Sequence, residues 1–295
     1  MNASDDFGDF LKSRRARLTP EQAGLPAYGT NRRVQGLRRE EVAMLAGISG
    51  EYYVRLERGS VRGVSEDVLD GIARALQLDD AERAHLFDLA RATTSRAKSR
   101  GSVRHAQERV RPSVQRILDS LVAAPTFVMS SRGDLLAANT LGEAFYGDLY
   151  ADGERPVNTV RFIFLNPRAP EFFVDWDKVA DDSIGILRAE AGRDPHDRRL
   201  TDLVGELATR SDEFRVRWAA HHVKLHRTGT KRFHHRIVGD VILDFDSLDL
   251  PGDPGQKLVV YTAEPGSPSQ QAVALLVSWV TSPAAAPVQS PADER

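Results

Sequence analysis

Apolar residues recur three and four apart through the first third of the chain: Phe7, Phe10 and Leu11; Val42, Leu45 and Ala46; Tyr53 and Leu56; Val68, Leu69, Ile72 and Leu76; Leu86, Leu89 and Ala90. That spacing places each set on one side of a helix and predicts a run of short helices over residues 1–92. Boundary chemistry agrees: Ser49 and Ser65 stand where N-caps belong, Asp79 precedes Glu82 by three as in a capping box, and Gly59 follows Arg58 as a stop. Between Leu18 and Gly36 two prolines and three glycines instead predict a long irregular connection.

Residues 93–111 lose the periodicity and carry mostly basic and small side chains, which predicts a basic linker. Past Pro112 the pattern becomes mixed. VQRILDSL is helix-like, and TFVMSS and DLLAAN are strand-like around the turn Arg132-Gly133. HHVKLH and KRFHHRIV suggest a hairpin joined at Thr228-Gly229-Thr230, and GDVILDFDSLDL and KLVVYTAE alternate apolar and polar residues. We expect a mixed α/β domain over 112–270, then a C-terminal helix and disordered tail over 271–295, and so an α+β multidomain chain.

Composition narrows the class. With 295 residues, 41% hydrophobic, 28% charged and a mean hydropathy of -0.37, neither wholesale disorder nor a membrane-spanning bundle is expected. The N-terminus is acidic where a signal peptide would be basic and then apolar, so a cytoplasmic, nucleoid-associated location with no membrane partner is expected. The absence of cysteine excludes disulfides, thiolate metal centres and thiol catalysis. Neither a nucleophile elbow, a glycine-rich phosphate loop, a zinc-protease motif nor a dinucleotide fingerprint is present, so no catalytic residue is assigned and an enzyme is not expected.

Charge points elsewhere. Up to Pro112 there are 20 Lys and Arg against 16 Asp and Glu, and beyond it 20 against 26. Eight basic residues and one acid lie between Lys12 and Arg39, a block that suits either a solvated face or a polyanion-binding one. The stretch REEVAMLAGISGEYYVRLER, from Arg39 to Arg58, decides between them. Ala43 is small where two helices meet, Gly47 suits a left-handed turn, and Val42, Ala46, Ile48, Tyr53 and Leu56 supply the contacts between them. With Ser49 as cap, Gly50, Glu51, Val54, Arg55 and Arg58 fall on the outer face, where a major groove would receive them. Arg55 suits a guanine edge, Glu51 a cytosine amino group and Val54 a thymine methyl. The competing reading is a surface ion pair between Glu51 and Arg55, weak at about 0.3–0.5 kcal/mol. Arg38 and Arg39 open the preceding helix, where acids are usual, which favours contact with DNA phosphates; Arg32 and Arg33 lie on the long connection, as backbone or minor-groove contacts or as solvated loop residues.

These residues carry a resemblance. Lys12-Ser13-Arg14-Arg15, LRREEVAMLAGIS, YYVRLERG and VLDGIARALQL resemble an Xre/Cro-type helix-turn-helix domain. With DDAERAHLFDLARA, FLNP, VDWDK, SDEFRVRW, KRFHH and VVYTAEPGSPS, residues 5–280 resemble the MmyB-like transcriptional regulators, save that Arg236 stands where the family would place proline. The resemblance implies five helices in the DNA-binding domain, a PAS-like second domain that holds a lipid-like molecule in relatives, and a structural ion pair between Arg15 and Glu57. Asn139 resembles the PAS asparagine, or is only the N-cap of the helix that follows.

Aromatic residues in the second half are core by default, and some suit the walls of an apolar pocket; we place one near Phe127, Leu136, Phe162, Trp176 and Trp218. Five of the eight histidines fall between His221 and His235, but with no thiolate and a hairpin that spreads them, no metal is assigned. The expected partners are double-stranded DNA, an apolar, fatty-acid-like small molecule with no other cofactor, and a second copy in a homodimer. The rival reading makes the second domain purely an oligomerisation or protein-contact module.

Overall fold

The computed structural model describes residues 3–26, 34, 36–94, 109–151, 156–220 and 228–282. In chain order its first elements are α1 (Ala3–Arg17), α2 (Arg39–Ala46), α3 (Gly50–Glu57), α4 (Glu66–Ala75), α5 (Asp80–Thr94) and α6 (Pro112–Ser120). β1 (Thr126–Ser130) and β2 (Asp134–Ala138) lead to α7 (Thr140–Phe145), α8 (Gly147–Tyr150), β3 (Val157–Asn158), α9 (Thr159–Leu165) and α10 (Ala169–Phe172). Then follow α11 (Trp176–Arg193), α12 (Arg198–Arg210), α13 (Asp212–Ala219), β4 (Thr228–His235), β5 (Gly239–Asp249), β6 (Gln256–Thr262) and α14 (Pro268–Thr281). The chain divides into two compact units, Met1–His105 with Ala180–Leu225 and Ala106–Val179 with His226–Arg295.

In the first unit the periodic residues do what their spacing dictates. Phe7, Phe10, Leu11, Val42, Tyr53, Leu56, Ile72 and Leu86 are wholly or almost wholly buried in one core. Leu45 is exposed, and the smaller Ala43 takes the buried place on α2. Ser49 accepts from the Tyr52 N–H and Ser65 from the Val68 N–H, while Asp79 and Glu82 cap each other. Two glycines allow close approach. A Cβ on Gly8 would lie 2.4 Å from the Glu57 carbonyl oxygen, so only glycine lets α1 meet the end of α3. A Cβ on Gly71 would lie 2.7 Å from the Ala46 carbonyl, where α4 meets α2.

This unit extends beyond the 1–92 expected for it, because Ala180–Leu225 joins it. Ala189 of α11 enters the helical core, and Gly192 lies against the His85 ring, which packs edge-on against Phe10. Arg188 reaches the Trp218 carbonyl, and its guanidinium lies 4.2 Å over the Trp218 ring. Burial lowers its pKa to about 10, opposed by the charge of Asp6. Burial also raises the Asp6 carboxyl, against the pull of Arg188. Local pattern cannot disclose such a seam, since it joins segments far apart in sequence. Most of the expected linker, residues 95–108, lies outside the described residues, as does the tail from 283.

The second unit is an antiparallel sheet in the order β3-β2-β1-β6-β5-β4, a PAS-like mixed α/β arrangement. Alternation sorts its two faces. Val128 and Leu258 join Val114 and Leu118 of α6 on one side, while Phe127, Phe233, Phe245 and Tyr261 form a packed aromatic layer on the other. The expected hairpin turn at Thr228-Gly229-Thr230 is corrected. Those residues are strand, pairing with Asp244–Asp246, and the reversal comes at residues 236–238 before Gly239, whose φ is +73°. His235 Nδ1 accepts from the Ile237 and Val238 N–H groups there, so a histidine closes the turn where glycine and threonine were read as the signal. HHVKLH lies outside the described residues.

Candidate functional site

Gly47 sets the geometry of the helix-turn-helix. Its φ is +69°, its N–H returns to the Met44 carbonyl and the Ile48 N–H to Ala43, which ends α2 and turns the chain into the Ser49 cap of α3. Tyr53 and Leu56 are buried, so α3 presents Glu51, Arg55 and Arg58 to solvent with Gly50 and Val54 half-buried between them. These residues, with Arg39 and Glu40 of α2, line one open groove.

Beneath it Glu57 is almost fully enclosed. Arg15 Nε donates to its Oε1 and Arg39 Nε to its Oε2, both at 2.6 Å. Arg15 also donates to the Leu37 carbonyl, so one carboxylate ties α1, the start of α2 and the end of α3. Glu57 holds the Arg39 guanidinium above its ordinary pKa, through the hydrogen bond first and its charge second. Tyr53 is also raised, by burial and then by Glu57. Arg39, expected only as a phosphate contact, therefore has a structural bond as well, with half its side chain still exposed.

The remaining cations face outward. Among the described residues Arg38, Arg55 and Arg58 have no carboxylate within 4.0 Å, so the surface pair between Glu51 and Arg55 is not formed; Arg55 lies instead 5.9 Å from the Tyr52 ring centroid. Arg38 occupies the N-cap of α2, and Glu41 accepts from its backbone N–H at 2.6 Å, leaving its side chain exposed. Arg32 and Arg33 lie outside the described residues.

Of the residues expected around an apolar pocket, Phe127 and Phe162 share the aromatic layer of the second unit, and Leu136 lies on the other face of the sheet. Phe127 stacks on Tyr146 at 4.5 Å in the aromatic layer, and Phe162 joins that layer edge-on through Phe172. Trp176 donates its ring N–H to the Ile163 carbonyl. Leu136 packs on the α6 side of the sheet, because a bulge after Val128 shifts the register. Trp218 belongs to the helix-turn-helix unit, stacked on Phe214. Asn139 is a structural residue: its amide donates to the Leu121 and Ala124 carbonyls and its oxygen accepts from Thr126 and Gly142, which uses its full bonding capacity. Asn139→Ala should cost about 3 kcal/mol, a cap and three further backbone partners together, read from urea unfolding; a loss under about 1 kcal/mol would contradict this role.

Sequence reasoning missed three polar groups on the aromatic side. Tyr146 and Tyr261 share a hydrogen bond of 2.9 Å between their hydroxyls, and Lys231 Nζ donates to Tyr261 at 3.2 Å. Burial raises the Tyr146 pKa well above its ordinary value, followed by the proximity of Tyr261. The signal was the parity of Lys231, Phe233 and His235, which puts a lysine on an apolar face. Of the clustered histidines, His234 bonds Asp240 at 2.6 Å and His235 is buried, and no metal-holding group occurs among the described residues.

A helix-turn-helix with an exposed, arginine-bearing second helix, joined to a separate sheet domain, defines a DNA-binding transcription regulator. Residues 6–86 match a helix-turn-helix domain family, and residues 110–276 match the MmyB-like transcription regulator ligand binding domain. The chain belongs to the MmyB-like transcription regulators. No curated protein matches it. Among the described residues no helix is long and apolar enough to cross a membrane.

Proposed function

We propose that the protein is a homodimeric, sequence-specific regulator in which an apolar, fatty-acid-like molecule held by the second domain modulates DNA binding. The observation that carries the DNA reading is the exposed α3 face with Arg55 and Arg58 free of carboxylates. Arg55 reads a base edge, Arg38 grips phosphate, and two copies place two short recognition helices one helical turn apart on the duplex, which one helix needs for useful affinity. Support for coupling comes from Ala180–Leu225, which lies within the matched ligand-binding residues yet belongs to the compact unit of the helix-turn-helix. A ligand then acts by binding two arrangements of the DNA-binding units unequally.

Selection of bound fragments from random duplex DNA tests site and symmetry together. Arg55→Ala should relax preference at one base pair per half-site, by about 1–3 kcal/mol, and Arg38→Ala should weaken all sequences about evenly. An unchanged sequence preference in Arg55→Ala would remove Arg55 from base readout. Identical DNA affinity before and after delipidation would reject the switch and leave DNA binding standing. The rival reading, a purely assembling second domain, is favoured by Leu275 and Trp279, four apart and exposed on α14. Native mass spectrometry separates the two, since sensing predicts a co-purified molecule.

A further inference from the structure

We propose that Tyr52 is a positioning residue for base recognition: its ring props the Arg55 guanidinium as it enters the major groove, and so sharpens the choice of base there. This deepens the reading of Arg55 as a base contact and rests on it. Tyr52 and Arg55 lie three apart on α3, a spacing at which helical side chains meet. The Arg55 guanidinium carbon lies 5.9 Å from the centroid of the Tyr52 ring, within reach of the attraction between a cation and a ring face.

Two further observations fit a prop rather than a chance neighbour. Tyr52 is itself held in place: its backbone N–H donates to the Ser49 hydroxyl at 3.2 Å, and its half-buried ring packs against the helical core. Arg55, by contrast, is exposed and has no carboxylate partner among the described residues, because Glu57, two residues on, is taken by Arg15 and Arg39. A long cationic side chain gives up rotamer freedom when it binds, and a ring beside it removes part of that loss beforehand. Guanine presents two acceptors on one edge, so a guanidinium must arrive close to the plane of the base to take both. A phosphate accepts from many directions and gains less from a restrained approach. The prop therefore acts on discrimination more than on general affinity. At an exposed site such a contact changes an equilibrium by about two- to fivefold.

The test uses the full chain. Selection from random duplex DNA with the parent and with Arg55→Ala identifies the base pair that Arg55 reads, as the one at which preference relaxes. Discrimination is then the ratio of affinities, by fluorescence anisotropy, for the preferred duplex and for one changed at that pair. Tyr52→Leu should lower it about two- to fivefold, and Tyr52→Phe, which keeps the ring, should retain it. In an Arg55→Ala background Tyr52→Leu should change it no further. Thermal unfolding confirms that each variant is folded, and Tyr52→Met replaces the leucine variant if that one is not. Unchanged discrimination in Tyr52→Leu overturns the prop, even where both duplexes bind more weakly by one factor, because Tyr52 would then serve only as scaffold. An equal loss in the Arg55→Ala background also overturns it, since Tyr52 would act without Arg55. So does a loss in Tyr52→Phe, which would assign the effect to the hydroxyl rather than the ring. If Arg55→Ala relaxes no base pair, the base-contact reading itself fails and takes the prop with it.

Discussion

Glu57→Ala should lower the stability of the helix-turn-helix unit by about 3–5 kcal/mol, the cost of removing one member of a buried, hydrogen-bonded ion cluster. The carboxylate is 1% exposed and accepts from two guanidinium groups at 2.6 Å. Its removal leaves Arg15, 15% exposed, with a charge that solvent reaches poorly. It also opens a gap beside Tyr53, the largest fully buried side chain among the described residues. Arg39, half exposed, loses little, because water can replace its partner. Because Arg15 binds both Glu57 and the Leu37 carbonyl, the change also unties α1 from the entry to α2. DNA affinity should fall even at temperatures where the chain is folded, since the angle of α3 depends on that tie. Glu57→Gln keeps an acceptor and should lie between the two. Urea unfolding followed by circular dichroism measures the loss; a change below about 1 kcal/mol in Glu57→Ala would show that the cluster does not hold the unit together.

Gly192→Ala sets two effects against each other. Alanine is the better helix former by about 1 kcal/mol, which alone predicts stabilisation of α11. The added Cβ, however, would lie 2.5 Å from Cε1 and Nδ1 of His85. His85 is 4% exposed and wedged against Phe10, so its ring has no free space into which to move. Overpacking of this kind costs about 1–3 kcal/mol beyond ordinary side-chain adjustment, and we expect the steric effect to win, with a lower melting temperature. Gly205 on α12 is the matched control. Nothing lies within 4 Å of its added Cβ, so Gly205→Ala should raise stability by about 1 kcal/mol. Equal stabilisation by both substitutions would mean that α11 does not bear on α5. If coupling runs along this seam, Gly192→Ala should also change how DNA affinity responds to delipidation.

Much of the DNA-binding surface was legible beforehand because its constraints are local. A left-handed Gly47, a serine cap two residues on and buried positions one turn apart on α3 are settled within about a dozen residues, and the exposed face follows from them. The partnership of Arg15 with Glu57 came from resemblance, and Arg39 as a second partner escaped notice, since the two lie 18 residues apart with only their side-chain lengths to relate them. The pocket was far less legible. Aromatic content marked Phe127 and Phe162 as core or pocket wall but could not tell that Leu136 faces α6, because a single bulged residue in β1–β2 pairing reverses side-chain direction. Asn139 looked equally suited to a ligand or a cap until its four bonds were counted.

Local periodicity, caps and turn chemistry by themselves determined the run of short N-terminal helices, the turn at Gly47, the outward face of α3 and the strand character of β1, β2, β5 and β6. Each depends on contacts within a few residues, where the backbone's own geometry limits the choices. Tertiary structure alone decided that Ala180–Leu225 completes the helix-turn-helix unit, that Glu57 serves two arginines, and that Lys231 meets Tyr261, which in turn bonds Tyr146. Those arrangements arise from burial, which rewards any complementary surface regardless of its distance along the chain, so no local pattern records them.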